Sequence, residues 1–171
     1  PNDVDDVLAA GNARAPMWLR VNLDRTTREV YNAELEALGL ESSPSADCPS
    51  ALRLHTPVPV TRLPGFDTGA VSVQDVASQA VVAAADVAPG MRVLDACAAP
   101  GGKTGHLLER AGGALDLVAI DSDPDRRARV GETLDRLSYR AQCVAADAGQ
   151  PADWWDGKPC DRILVDAPCS G

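Results

Sequence analysis

Several features that define common protein classes are missing from this sequence. No apolar run approaches the roughly 20 residues that a membrane-spanning helix needs, and no secretory signal is visible at the N-terminus. The five cysteines form no Cys-x-x-Cys pair, and with only two histidines a zinc site is not expected. We therefore expect no membrane partner, no metal, and a cytoplasmic protein with reduced thiols.

An excess of positive charge is also missing. The formal net charge is −9, from 25 acidic and 16 basic residues, and no segment is strongly basic. This balance argues against non-specific nucleic-acid binding by the chain alone. Fourteen of the basic residues are arginine, which suits phosphate contacts, but their densest cluster, at 126–129, is better explained as a solvated helix face.

Residues 1–70 have the pattern of a small α+β unit. A strand is predicted over 17–22, followed by a helix that Thr26 or Thr27 caps and Gly39 ends. The apolar face of that helix is predicted to contain Val30, Tyr31, Leu35 and Leu38. Turn-forming residues then indicate a loop, and the apolar runs after it predict two short strands. The loop covers 42–50, and the strands cover 51–54 and 57–63.

From residue 71 the pattern changes to alternating strands and helices. Ser72 and Asp75 have the spacing of a capping box, which predicts a helix to about Ala85. This alternation predicts a doubly wound parallel sheet, whose ligands bind beyond the carboxyl ends of the strands. The predicted strands are 91–97, 115–121, 142–146 and 162–166, and the helices between them are 103–111 and 124–137.

Four acidic residues, Asp95, Asp121, Asp147 and Asp166, fall at or near the ends of those strands. Because these ends share one edge of a parallel sheet, we expect the four to lie on one rim. After the first of these strands, the small residues of 97–103 form a loop that leaves backbone N–H groups free for an acceptor-rich ligand at the start of a helix. Its two glycines would let that ligand approach the backbone closely.

Three nucleotide-like ligands can be compared with this loop. Gly102-Lys103-Thr104 matches the end of a P-loop, but the glycine that shapes the phosphate-binding turn would fall at Cys97. A dinucleotide-binding fingerprint is interrupted by Pro100. S-adenosylmethionine has no pyrophosphate, so a looser small-residue loop suffices for it.

An S-adenosylmethionine site also needs an acid for the ribose at the end of the second strand. Asp121, 18 residues after Lys103, has that position. The alternative for Asp121 is a cap for the helix that begins at Pro124.

Two segments closely resemble signature motifs of the Sun-type RNA cytosine-C5 methyltransferases. One is Asp-Ala-Cys-Ala-Ala-Pro-Gly-Gly-Lys-Thr at 95–104, and the other is Asp-Ala-Pro-Cys-Ser-Gly at 166–171. Segments 16–22 and 72–75 are similar to that family as well, so the resemblance covers most of the chain.

The resemblance implies an α/β fold with two parts. Residues 1–70 would be a small α+β, RNA-recognition-like subdomain, and residues 71–171 would be the first four strands of a Rossmann-like, S-adenosylmethionine-dependent methyltransferase domain. The implied substrate is ribosomal RNA, with the 16S RNA of the small subunit expected. A P-loop-like nucleotide-binding module and a non-catalytic cofactor- or RNA-binding module remain alternatives.

The resemblance also implies roles for individual residues. Asp121 would hold the ribose, Asp147 would lie by the adenine, and Asp166 would lie between the cofactor and the target base. The cofactor loop would consist of Cys97, Ala98, Ala99, Pro100, Gly101, Gly102 and Lys103.

Methylation of carbon 5 of cytosine needs a thiolate that adds to carbon 6 and an acid near ring nitrogen 3. Asp166 is the candidate acid. By the resemblance, Cys169 assists release of the product, and the nucleophile is a cysteine in a later Thr-Cys motif. No Thr-Cys dipeptide occurs here, so we expect the chain to be inactive alone. We also expect the strand at 162–166 to be an exposed sheet edge through which the chain self-associates.

Overall fold

The computed structural model describes residues 15–167, together with Val4 and Leu8. In this part of the chain two four-stranded sheets form, one antiparallel and one parallel. The first sheet has the order β2-β3-β1-β4. Its elements are β1 (Met17–Val21), α1 (Arg28–Ala37), β2 (Ser42–Pro44), β3 (Ala51–Leu54) and β4 (Val71–Val73).

Helix α1 confirms the predicted caps but only half of the predicted apolar face. The Thr27 side chain accepts the N–H of Val30, and Gly39 has a φ of +70° just beyond the helix. Tyr31 and Leu35 are fully buried, as expected. Val30 and Leu38 are about half exposed, so their predicted burial is wrong. Residues 31 and 35 are one turn apart and form the contact stripe, whereas Leu38 is the C-cap, where the chain leaves the helix.

Two predictions between α1 and β4 are wrong. The predicted loop over 42–50 begins with β2, which pairs antiparallel with β3. An edge strand can be short, polar and proline-containing, so the sequence of β2, Ser-Ser-Pro, forms a strand without having a strand pattern. The predicted strand at 57–63 does not form. Pro57 and Pro59 have no N–H to give to a sheet, and the chain makes a 3₁₀ turn at Val60–Arg62 instead.

The capping-box interpretation of Ser72 is also wrong. Ser72 is the middle residue of β4 and lies opposite Arg20 of β1. The N-cap of the next helix, α2 (Val76–Ala84), is Asp75, whose carboxylate accepts the N–H of Ala77 at 2.8 Å. The first sheet therefore extends to Val73, beyond the domain boundary predicted after residue 70.

The parallel sheet follows the predicted alternation. Its strand order is β7-β6-β5-β8, so the chain moves outward from β5 and then returns to the other side of it. Its elements are β5 (Arg92–Ala96), α3 (Gly102–Arg110), β6 (Asp116–Asp121), α4 (Pro124–Leu137), β7 (Gln142–Ala145) and β8 (Arg162–Val165). This reversal at β5 places the loops after β5 and β8 side by side at the carboxyl edge, where ligands of such sheets bind.

The two faces of the parallel sheet are covered differently. Helices α2, α3 and α4 bury the main core on one face, through residues such as Val82, Leu107 and Val130. The other face, around Leu94 and Ile120, is covered by the segment between β7 and β8. The longest helix of the described residues, α4 with 14 residues, is too short and too polar to cross a membrane.

Strand β8 is an edge of the described sheet, as the sequence predicts. It pairs with β5 alone, and the side chains of Ile163 and Val165 are mostly exposed. Self-association through this edge stays a prediction.

Two helical glycines give a paired test of how tightly α3 packs. A Cβ at Gly105 would lie 2.3 Å from Cδ1 of the fully buried Leu137, whereas a Cβ at Gly131 of α4 would meet nothing within 4 Å. We expect Gly105→Ala to lower the free energy of unfolding by about 1–3 kcal/mol through overpacking. Gly131→Ala should raise it by about 0.5–1 kcal/mol through helix propensity. Urea unfolding of both variants measures this, and two changes of the same sign would contradict it.

Candidate functional site

The loop between β5 and α3 is fixed by short backbone contacts. The N–H of Ala98 donates to the carbonyl of Ile120 at 2.9 Å, which ties the loop to the neighbouring strand β6. The N–H of Gly101 donates to the carbonyl of Ala98 at 2.8 Å and closes a tight turn. Cys97 has a φ of +61° and Gly101 a φ of +97°, so the chain reverses between two left-handed residues.

The two loop glycines have different roles. A Cβ at Gly101 would lie 3.1 Å from the Cα of Val130 and from the Cβ of Thr133, so only glycine lets the loop pack against α4. Thr133 also donates its hydroxyl to the carbonyl of Pro100 at 2.7 Å. A Cβ at Gly102 would meet only Nε2 of Gln74, at 3.7 Å. Close approach of a ligand therefore stays a prediction for Gly102, whereas Gly101 is explained by packing.

The first turn of α3 presents uncapped N–H groups. Its N-cap is Gly101, which has no side chain to accept them. Among residues 15–167, no acceptor outside the helix is found for the N–H groups of Gly102, Lys103 and Thr104. These donors and the positive end of the helix dipole favour an anionic or acceptor-rich ligand.

Asp121 lies under this loop at the end of β6 and is buried. One carboxylate oxygen accepts the N–H of Ala99 and the other accepts that of Asp123, both at 3.2 Å. The alternative, that Asp121 caps α4, is wrong, because Asp123 is the N-cap and accepts the N–H groups of Asp125 and Arg126. Asp121 thus fixes the loop, and a ribose contact stays a prediction.

Lys103 and Asp166 form an ion pair across the point where the strand order reverses. Nζ of Lys103, in the first turn of α3, lies 2.5 Å from Oδ2 of Asp166, just after β8. Their side chains are 18% and 55% exposed, so the pair faces open space rather than the core. The sequence predicts that both residues lie at the same edge of the sheet. They do so because β5 and β8 are adjacent parallel strands.

A cavity of about 240 Å³ lies beside this ion pair. It brings together most of the predicted loop residues with Asp95 and Asp166, and its opposite wall comes from β4 and the start of α2. The loop side contains Cys97, Ala98, Ala99, Pro100, Gly102 and Lys103, and the opposite side contains Val73, Gln74, Asp75 and Ser78. The sequence gives no signal for this second wall, because only tertiary packing brings β4 and the start of α2 to the loop.

Asp147 lies farther out on the same rim. It is exposed after β7, two strands from β5, and its carboxylate accepts the N–H of Gly149 at 2.8 Å. It does not line the cavity described above, so its predicted place beside an adenine rests on the resemblance alone.

Asp95 is the most unusual acid of the site. It is 1% exposed, and Oδ2 accepts the Thr104 hydroxyl at 2.6 Å, while Oδ1 has no partner among the described residues. Burial raises the pKa of Asp95 to about 6, although the hydrogen bond from Thr104 and the charge of Lys103 oppose the rise. An unpartnered buried carboxylate oxygen beside a cavity suits a ligand that donates a hydrogen bond.

Of the cysteines in the two motifs, the structure describes Cys97 but not Cys169. Cys97 is partly buried, and burial, reinforced by the negative charge of Asp121, raises the pKa of its thiol. This direction disfavours the thiolate form that a nucleophile needs. Cys169 lies outside the described residues, and its catalytic role stays a prediction.

A larger cavity, of about 630 Å³, lies between the two sheets near the other end of α3. It is lined by residues such as Cys48, Gln79 and His106, none of which belongs to a predicted site. Burial lowers the pKa of His106 to about 2, so its imidazole is neutral. We place the candidate site at the smaller cavity, because the uncapped helix start, the ion pair and the unpartnered acid all lie there.

The buried Asp95 makes stability depend on pH in a defined direction. Because its pKa is raised, the folded chain keeps this proton to higher pH than the unfolded chain, and stability is lost as pH rises from about 4 to about 6. Asp95→Asn removes this ionisation. We therefore expect the free energy of unfolding of the variant, relative to that of the wild type, to rise by about 3 kcal/mol as pH increases over that interval. Urea unfolding at several pH values measures the difference, with the exposed Asp153→Asn as a baseline. A difference that does not change with pH would contradict a buried ionisation at Asp95.

Two family models match the chain. Residues 82–171 match the model described as 16S rRNA methyltransferase RsmB/F, and residues 1–61 match an RsmF/B-like ferredoxin-like domain. The first match alone covers more than half of the chain.

Individual relatives agree with these matches. Ribosomal RNA small subunit methyltransferase B of Xylella fastidiosa (strain Temecula1) is 55% identical over 91% of this chain, and its counterpart in Vibrio cholerae is 48% identical over 99%. The chain spans 36% and 39% of the lengths of these two curated relatives. A solved structure of a methyltransferase homolog from Pyrococcus horikoshii is 28% identical to this chain and has a TM-score of 0.83. The match covers 95% of this chain and 53% of that protein's chain. The chain therefore belongs to the RsmB/F family of 16S rRNA methyltransferases.

Proposed function

We propose that this chain is the cofactor-binding part of a methyltransferase that transfers a methyl group from S-adenosylmethionine to carbon 5 of a cytosine in small-subunit ribosomal RNA. The observation that carries the proposal is one cavity whose lining contains the uncapped first turn of α3, the buried Asp95 and the Lys103–Asp166 pair. Family membership supports it independently.

The donors and acceptors of this cavity fit the two ends of an amino-acid group. The free N–H groups of the first turn of α3 suit a carboxylate, and the unpartnered oxygen of Asp95 suits an ammonium. Asp121 would add the ribose contact through Oδ1, which keeps a lone pair after accepting the N–H of Asp123, whereas Oδ2 accepts the N–H of Ala99 and lies 3.5 Å from Nη2 of Arg126. When bound, S-adenosylmethionine supplies an electrophilic methyl group on a sulfonium centre.

Asp166 is the residue that we assign to the cytosine ring. Its exposed carboxyl group, next to Lys103, would in its protonated form give its proton to ring nitrogen 3, which neutralises the negative charge that develops when a thiolate adds to carbon 6. Cys97 is not proposed as the attacking thiolate, because burial raises the pKa of its thiol and so disfavours the thiolate. Methyl transfer is therefore proposed for a longer protein that includes the later Thr-Cys motif of the family.

The P-loop alternative lacks support from the loop itself, because Cys97 occupies the position of the glycine that shapes the phosphate-binding turn.

Cofactor binding is tested by a pair of variants on β6. We expect Asp121→Asn to weaken S-adenosylmethionine binding about ten-fold or more, because an amide cannot accept both loop N–H groups and a ribose hydroxyl. Asp116→Asn changes the exposed acid at the other end of the same strand and should alter the dissociation constant less than about two-fold. Isothermal titration of the 171-residue chain measures both. Equal affinities for the two variants would argue against the ribose assignment.

Catalysis is tested by joining this chain to the parts of the Xylella relative that it does not span. We expect Asp166→Asn to reduce tritium transfer from S-adenosylmethionine to 16S rRNA by about a hundred-fold or more, because an amide has no acidic proton to give to ring nitrogen 3. Asp153→Asn, an exposed acid before β8, is the control. Cofactor binding without any transfer in the unmutated protein would favour the non-catalytic alternative.

A further inference from the structure

Arg20 belongs to the first sheet but contacts the start of α3. It lies in β1, and its side chain is 1% exposed. Nη1 donates to the carbonyl of Gly102 at 2.8 Å and to Oε1 of Gln74 at 2.6 Å. Gly102 closes the predicted cofactor loop and Gln74 lies on the opposite wall of the cavity, so one nitrogen joins both walls.

The other nitrogens of Arg20 hold the far end of the same helix. Nε and Nη2 donate to the two carboxylate oxygens of Glu109 at 2.8 and 2.6 Å, and Nη2 also lies 3.4 Å from the Ser72 hydroxyl. Such a bidentate pair fixes the relative orientation of the two side chains as well as the distance between them. A single guanidinium therefore holds α3 in its first and last turns.

Through its hydrogen bond to Gly102, Arg20 orients a peptide group of the candidate site. The carbonyl of Gly102 and the N–H of Lys103 belong to one planar peptide unit, so fixing the oxygen fixes the direction of that N–H. This N–H is one of the uncapped donors at the cavity. The same unit sets the Cα from which the Lys103 side chain reaches Asp166.

We propose that Arg20 is a positioning residue for the cofactor loop, through which docking of the first sheet sets the orientation of the Lys103 N–H and the affinity for S-adenosylmethionine. The inference deepens the proposed function and rests on it for the identity of the ligand. Lysine cannot replace Arg20, because a single ammonium cannot reach Gly102, Gln74 and Glu109 in this fork geometry.

A second arginine offers a matched control. Arg136 of α4 also joins the two sheets: Nη1 donates to the carbonyls of Phe66 and Val71 at 2.7 and 3.0 Å, and Nη2 donates to the Ser72 hydroxyl at 2.9 Å. It makes no hydrogen bond to residues 97–103. A purely structural role for Arg20 therefore predicts the same behaviour from both arginines.

The test compares Arg20→Lys, Arg20→Gln and Arg136→Gln in the 171-residue chain. For each, S-adenosylmethionine affinity is measured by titration, the melting temperature by circular dichroism, and amide hydrogen exchange over residues 101–106 without cofactor. The double variant Arg20→Gln/Glu109→Gln removes both buried charges together, so that a folded chain without the Gly102 contact is available if the single variants unfold.

Both Arg20 variants, and the double variant, should bind S-adenosylmethionine about ten-fold more weakly. The hydrogen-bonded amides of Gly101 and Gly105 should exchange about ten-fold faster. Arg136→Gln should lower the melting temperature but change affinity and exchange less than about two-fold. Equal effects of the Arg20 and Arg136 variants, or wild-type exchange in the double variant, would overturn the assignment. If the unmutated chain does not bind S-adenosylmethionine, the proposed function fails, while amide exchange still decides the role of Arg20.

Discussion

The buried ion pair between Arg20 of β1 and Glu109 of α3 decides how the two sheets meet. The two side chains are 1% and 5% exposed, and both belong to the interface between the units. Burial raises the pKa of Glu109, and the guanidinium opposes that rise by stabilising the carboxylate. Removing either partner would leave an uncompensated charge, which costs about 3–5 kcal/mol. Because the cavity has walls from both units, its shape depends on a contact that neither unit makes alone.

The parallel sheet was predictable because its signals are local. Buried parallel strands are short apolar runs, and Asp123 and Pro124 mark the start of α4. The first sheet was less predictable, since β2 is a polar edge strand and β4 consists of only three residues. Ser72 fits a capping box and a strand equally well, and only its pairing with Arg20 across 52 residues decides between them.

The candidate site likewise has features that the local sequence predicts and features that depend on tertiary packing. Motif spacing and strand order were enough to bring Lys103 and Asp166 to one edge, because adjacent parallel strands end together. No local signal shows that Asp95 has an unpartnered oxygen or that Arg20 reaches a helix 89 residues away, since both depend on tertiary packing. The loop is held by hydrogen bonds with residues of the chain itself, Asp121 and Thr133, and such contacts reduce the ordering that binding a ligand would require.

The contact between Gly101 and α4 links positions that no motif connects. Because the loop backbone rests directly on Val130 and Thr133, the face of α4 that bears these two residues has as little room for change as the loop itself. A larger residue at 133 would push the loop toward the cavity, just as a side chain at 101 would push the helix away. Among related proteins these positions should therefore vary together or not at all, and helix residues remote from any substrate should be as invariant as the signature glycines.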